Sequence, residues 1–179
     1  MRISLGYNAV PEEAKQLILD VLSSGQFSPG PRVREFEDEF ARKHRAKDGI
    51  FVNSGTDALR LSLLSLKEKH GWPDGAGVAV PALTFVATIN VVLQAGLKPF
   101  FVDVGMHDYL MNPDNLEWRM STGAGDSGVV AVMPVHLFGQ SCDQRIFELA
   151  KKRNLRVLED SCETILNPIR GDVSCHSTY

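Results

Sequence analysis

No run of five basic residues occurs among the 19 Lys and Arg, and 22 Asp and Glu outweigh them to give a net charge of −3. A polyanion needs a concentrated positive surface, so nucleic acid and anionic membranes are set aside as partners. Apolar stretches never approach the ~18 residues that a membrane-crossing helix requires. Met1 to Asn8 lack the apolar core followed by small residues that marks a secretion signal, and a cytoplasmic location is expected. Cysteine is scarce. Cys142, Cys162 and Cys175 are odd in number and widely spaced, with no C-x-x-C pair, which excludes a disulfide framework and a zinc ribbon. His136 and His176 add nitrogen to those thiols, but the spacings follow no zinc pattern and no metal site is expected.

What remains is an ordinary globular composition, 179 residues with 44% hydrophobic, long enough for one domain with a real core. Pro11-Glu12-Glu13 opens a helical pattern with Leu17, Ile18, Val21 and Leu22 on one stripe, and Gly25 stops it. After the stiff connector Ser28-Pro29-Gly30-Pro31, a second amphipathic helix places Val33, Phe36 and Phe40 inward and Glu35, Glu37, Asp38 and Glu39 largely outward. From Gly49 onward short apolar runs alternate with helix-period segments, which predicts β-α-β-α order and a mostly parallel sheet flanked by helices. Strands are expected near 49–53, 77–81, 98–103, 128–134 and 156–160, and helices near 56–70, 84–95, 113–120 and 143–153, with Gly71 and Gly96 as stops.

In an open sheet of this kind, ligands bind outside the carboxyl ends of the strands, so the loops beginning at Asn53, Pro81, Asp103, His136 and Asp160 carry the most weight. Asn53-Ser54-Gly55-Thr56-Asp57 has the outline of a phosphate cradle: a glycine, two hydroxyls and a helix N-terminus. Simple capping by Ser54 or Thr56 uses the same groups and is the alternative. Phe85, one unit later, either stacks on a flat ligand or fills the core. Glu159, Asp160 and Glu163 end a buried strand; a carboxylate there binds a cation, pairs with a protonated heterocyclic nitrogen, or caps a helix. Gly123-Ala124-Gly125-Asp126-Ser127-Gly128 has dinucleotide-fingerprint spacing but feeds a strand instead of leaving one, and is read as a turn.

Taken together these stretches resemble the DegT/DnrJ/EryC1/StrS group of sugar aminotransferases, fold type I enzymes that use pyridoxal 5′-phosphate. The matching segments are Ser28–Phe40 (SPGPRVREFEDEF), Asn53–Leu59 (NSGTDAL), Val80–Ala87 (VPALTFVA), Pro99–Asp103 (PFFVD), Pro134–Gln140 (PVHLFGQ), Leu158–Glu163 (LEDSCE) and Ser177–Tyr179 (STY), in family order. The resemblance implies an N-terminal helical segment over 1–48 and, over 49–179, an incomplete large domain resembling the N-terminal part of the fold type I transferase. It implies that Gly55, Thr56 and Asp57 hold the cofactor phosphate, with Ser177 as a further contact. It also places Phe85 on the pyridine ring, Asp160 at the pyridine nitrogen and Glu163 near the 3′ oxygen.

The family's Schiff-base lysine lies about five residues beyond the serine matched by Ser177, whereas the sequence stops at Tyr179, so no residue is matched to that catalytic role. Thr164–His176 is also shorter than the family pattern, and His176 replaces a usual aromatic. The implied activity is transfer of an amino group from an amino acid to a nucleotide-linked keto sugar, in polysaccharide or deoxyamino-sugar biosynthesis, by a homodimer. The alternatives are a cofactor-binding or regulatory remnant without chemistry, or part of a related sugar dehydratase with His in place of Lys.

Overall fold

Alternation of short β-branched runs with amphipathic helical segments leaves few ways to bury both, and the chain adopts the one in which helices cover a parallel sheet. The computed structural model describes residues 9–122, 128–165 and 169–176. Two helices come first, α1 (Glu12–Ser24) and α2 (Pro31–His44), followed by α3 (Gly55–His70). Strands and helices then alternate: β1 (Gly77–Pro81), α4 (Val86–Gln94), β2 (Lys98–Val102), α5 (Pro113–Thr122), β3 (Val129–Val132), α6 (Gln144–Lys152), β4 (Arg156–Ser161) and β5 (Val173–His176). The strands are paired in parallel in the order β2-β1-β3-β4-β5.

Side-chain alternation along the strands sorts the core into two layers. Val78, Val80 and Leu158 face α3 and α4, where they meet Leu59, Leu63, Val91 and Val92. Ala79, Val132 and Val157 face α5 and α6, where they meet Leu116, Ile146 and Phe147. Gly71 ends α3 in the left-handed region at φ 62°, which costs a residue without a Cβ nothing.

Three expectations are corrected. Residues 49–53 form no strand; Ile50 is 84% exposed, and Phe51 is held to α2 instead, its N–H donating to Glu37 Oε1 at 2.8 Å. An apolar run becomes a strand only where a neighbouring edge offers a ladder, and none is paired with this one. Conversely β5 was not expected: Val173-Ser174-Cys175-His176 has weak strand composition and pairs because β4 supplies an edge. Finally, Phe36, expected inward, is 41% exposed, and Leu17, Ile18 and Leu22 are exposed to 45–56%. The other helices and strands agree with expectation to within two residues. Of the glycine-spaced stretch only Gly128 is described, and its carbonyl accepts from Gly77 N–H as β3 begins.

Candidate functional site

The strand order reverses beside β1, with β2 on one side and β3 on the other, so the crevice at the carboxyl ends of these strands is the place for a ligand. Phe85 caps the start of α4 just beyond β1, and the residue is 64% exposed. The core alternative for Phe85 is therefore wrong. An aromatic face left in solvent at a strand's carboxyl end is available for stacking.

Asp160 lies near the carboxyl end of β4 and is only 4% exposed. Its Oδ2 accepts from Thr88 Oγ1 at 2.8 Å, and its Oδ1 has the Cys162 N–H at 3.3 Å. A buried carboxylate is stable only when its oxygens are satisfied. Here both oxygens have partners, since Cys162 reaches the carboxylate through its side chain as well as its N–H, and a carboxylate oxygen still has lone-pair capacity for a further donor.

The two flanking carboxylates do different work. Glu159 points into the opposite layer, where its Oε1 accepts from the N–H groups of Arg170 and Gly171, each at 2.6 Å. Its Oε2 lies 2.9 Å from His136 Nε2. Because Cys142 N–H donates to His136 Nδ1 at 3.1 Å, the ring proton sits on Nε2 and is donated to Glu159. Burial pushes the Glu159 carboxyl upward, but the His136 bond and the two backbone N–H groups outweigh it and hold it below the usual glutamate range. Gly171 can approach this closely only without a side chain, since a Cβ there would lie 2.8 Å from Val157 O. Glu163 is exposed, and its Oε2 accepts from Phe138 N–H at 2.5 Å, tying the loop after β3 to the loop after β4. Phe138 itself has φ 56°, a strained setting for a residue with a Cβ.

Helix α3 carries the remaining expected residues. Its N-terminus is near the carboxyl end of β5, since Ser54 and Gly55 line one cavity with Ser174 and His176. Ser54 Oγ accepts from Asp57 N–H at 3.2 Å, so the capping alternative holds for Ser54. The Gly55 and Thr56 amides, as first-turn groups, have no acceptor within the helix and remain available to an anion. Asp57's own N–H is taken by the cap, and its carboxylate pairs with Arg60 at 2.6 Å; that guanidinium, with the Asn53 side chain, holds it below the ordinary aspartate range. Ser177 lies outside the described residues.

Among the described residues no three His, Cys, Asp or Glu side chains are placed to hold a metal. All three cysteines are free, and burial raises Cys142 and Cys175 to about 12 and pushes Cys162 up as well. Two apolar cavities, of about 690 and 740 Å³, flank α2, one towards α3 and β5 and the other towards α1. Neither is lined by Phe85, Asp160 or Glu163, whereas Ser54 and Gly55 line the first. No described helix is long and apolar enough to cross a membrane.

Thr88 was not singled out from the sequence, and Glu159 was grouped with Asp160 and Glu163 without its bond to His136. Thr88 was legible only as the second hydroxyl of a Thr84/Thr88 pair one helical turn apart.

A parallel sheet with a buried carboxylate, an exposed ring and open helix amides at its carboxyl edge defines an α/β domain able to hold a flat, anionic ligand. The chain belongs to the DegT/DnrJ/EryC1/StrS aminotransferase family, whose model matches residues 8–176. It is 37% identical over 149 residues to GDP-perosamine synthase of Escherichia coli O157:H7, covering 80% of this chain and 37% of that protein. The crystal structure of a family aminotransferase from Brucella abortus matches with TM-score 0.75 and 32% identity, over 84% of this chain and 40% of the other. GDP-4-keto-6-deoxy-D-mannose-3-dehydratase of E. coli, solved with bound hydrated PLP, matches with TM-score 0.81 and 26% identity, over 89% and 41% respectively. The chain thus spans about two fifths of the length of these relatives.

Proposed function

We propose that this chain is the N-terminal part of a pyridoxal 5′-phosphate-dependent aminotransferase acting on a nucleotide-linked keto sugar, with an amino acid as donor. The observation that carries the reading is the buried Asp160 carboxylate, held by Thr88 and Cys162, on the same edge as the exposed Phe85. The donor set fits the cofactor: Gly55 and Thr56 amides for its phosphate, Phe85 for its ring, Asp160 for its ring nitrogen, and Glu163 for the neighbouring oxygen. When bound, the cofactor supplies a ring that withdraws electrons from a substrate carbon losing its proton. Asp160 keeps a proton on the ring nitrogen, because a buried carboxylate favours a positive partner over a neutral one. Phe85 covers one ring face and excludes water from it. The α3 N-terminus orients the phosphate through its two free amides and its dipole.

Residues 1–48 then make up an N-terminal segment that contains α1 and α2, and residues from 49 on belong to the large domain. The exposed apolar side chains Leu17, Ile18, Leu22 and Phe27 support burial against a second subunit in a homodimer. The free thiols are in keeping with a cytoplasmic enzyme of polysaccharide or deoxyamino-sugar synthesis. The likeness to a sugar dehydratase at TM-score 0.81 supports one alternative, in which the same site serves dehydration.

The test is titration of the chain with pyridoxal 5′-phosphate, followed by absorbance. Saturable, noncovalent binding that Asp160→Ala abolishes is expected; no saturable binding would overturn the cofactor reading. Sedimentation tests the homodimer, which a well-behaved monomer contradicts.

A further inference from the structure

We propose that Thr88, backed by Thr84, is a positioning residue that holds the Asp160 carboxylate in one orientation at the crevice. Thr88 is fully buried on the inward face of α4, in line with Val91 and Val92. A hydroxyl in that company is costly unless bonded. Buried threonines in helices commonly turn the hydroxyl back to a carbonyl four residues earlier. This one reaches across to β4 instead, donating to Asp160 Oδ2 at 2.8 Å.

The direction of the pair follows from hydrogen counting. An ionised carboxylate only accepts, so the single Thr88 hydroxyl hydrogen goes to Asp160. Thr84 Oγ1 lies 2.9 Å from Thr88 Oγ1 and must therefore be the donor to it. Each bond polarises the next, and the relay ends on the carboxylate. Oδ2 is fixed by it, whereas Oδ1 receives the longer Cys162 N–H bond and keeps lone-pair capacity for a further donor. Thr84 and Phe85 immediately precede α4 and Thr88 lies in its first turn, so the exposed ring and the support of the carboxylate are carried by adjoining backbone. What meets Oδ1 rests on the cofactor reading above; the fixation of Asp160 does not.

The experiment uses the ¹³C,¹⁵N-labelled chain without cofactor and measures three-bond couplings to Asp160 Cγ, which report its χ1 rotamer. A single rotamer is expected in the wild type and in Thr88→Ser, and averaged couplings in Thr88→Val. Unchanged couplings in Thr88→Val, or averaging in Thr88→Ser as well, overturn the proposal, since a packing role alone would give those results. Should Thr88→Val fail to fold, Thr84→Val is expected to average the couplings partly, and unchanged couplings there overturn it equally. In a second arm, Thr88→Val weakens noncovalent pyridoxal 5′-phosphate binding about tenfold while Thr88→Ser stays near wild type. A wild type that binds no cofactor sinks the function proposed above, yet the couplings still decide the role of Thr88.

Discussion

The sheet and the N-terminal helices are both built from amphipathic segments, yet they end in opposite states. Strands β1, β3 and β4 have apolar side chains packed on both faces, and the polar groups among them are bonded: Thr88 to Asp160, His136 to Glu159. Helix α1 buries no residue at all, and α2 buries only Ala41 and His44. Amphipathic period says that a face will be covered, but not by what. Where covering elements are present among the described residues the pattern is satisfied, and α1 is left facing solvent.

The contrast is broken most severely at Glu159. Replacing it with Ala leaves two backbone N–H groups and the His136 Nε2–H without an acceptor, and a loss of about 3–5 kcal/mol is expected in urea unfolding. Because its folded pKa is lowered, the unfolded chain takes up the proton first. The stabilisation is full above the ordinary glutamate pKa and is lost as pH falls through the folded value. Unfolding followed against pH should show that acid limb in the wild type and not in Glu159→Gln.

Leu63→Ala, a cavity in the fully buried layer between α3 and the sheet, should cost about 2–5 kcal/mol in the same assay. At the boundary of the two regions His176 packs against His44, ring centroids 4.5 Å apart, and burial pulls its pKa below the usual histidine value. Here too the unfolded state binds the proton first, so stability present above about pH 6.5 declines as pH falls toward the folded value. His176→Phe should remove that decline, read as melting temperature against pH.

The smallest effect is expected in α1. Leu17→Asp with Leu22→Asp should change the unfolding free energy by no more than about 0.5 kcal/mol, since both side chains are already exposed. Self-association measured by sedimentation should fall, which separates a face awaiting a partner from one that contributes to this fold. The thiols sharpen the same contrast. All three are in the sheet half with raised pKa values, so a thiol reagent at pH 8 should label the native chain slowly and the denatured chain fully.

Much of this was legible in the residues. Strands at 77–81 and 156–160, the α3 boundary between Ser54 and Gly71, and the placement of Phe85 and Asp160 near strand ends all follow from local signals: apolar runs, a capping serine and a stopping glycine. The strand expected at 49–53 did not form, and β5 went unread, because strand formation depends on which edge is adjacent, a property of no single segment. The three acidic side chains of the Glu159–Glu163 stretch looked alike in sequence. Alternation along β4 turned Glu159 to the His136 side and Asp160 to Thr88, while Glu163 fell beyond the strand.

By itself the sequence determined the class of fold, the edge on which a ligand would lie and the family to which the chain belongs, because these depend on periodicity and on motifs a few residues long. Tertiary structure alone decided which carboxylate is supported by a hydroxyl relay, which one straps a loop, and which apolar faces stay uncovered. Those outcomes rest on contacts between residues as far apart as Thr88 and Asp160, whose meeting is set by the packing of α4 on the sheet and by nothing local to either.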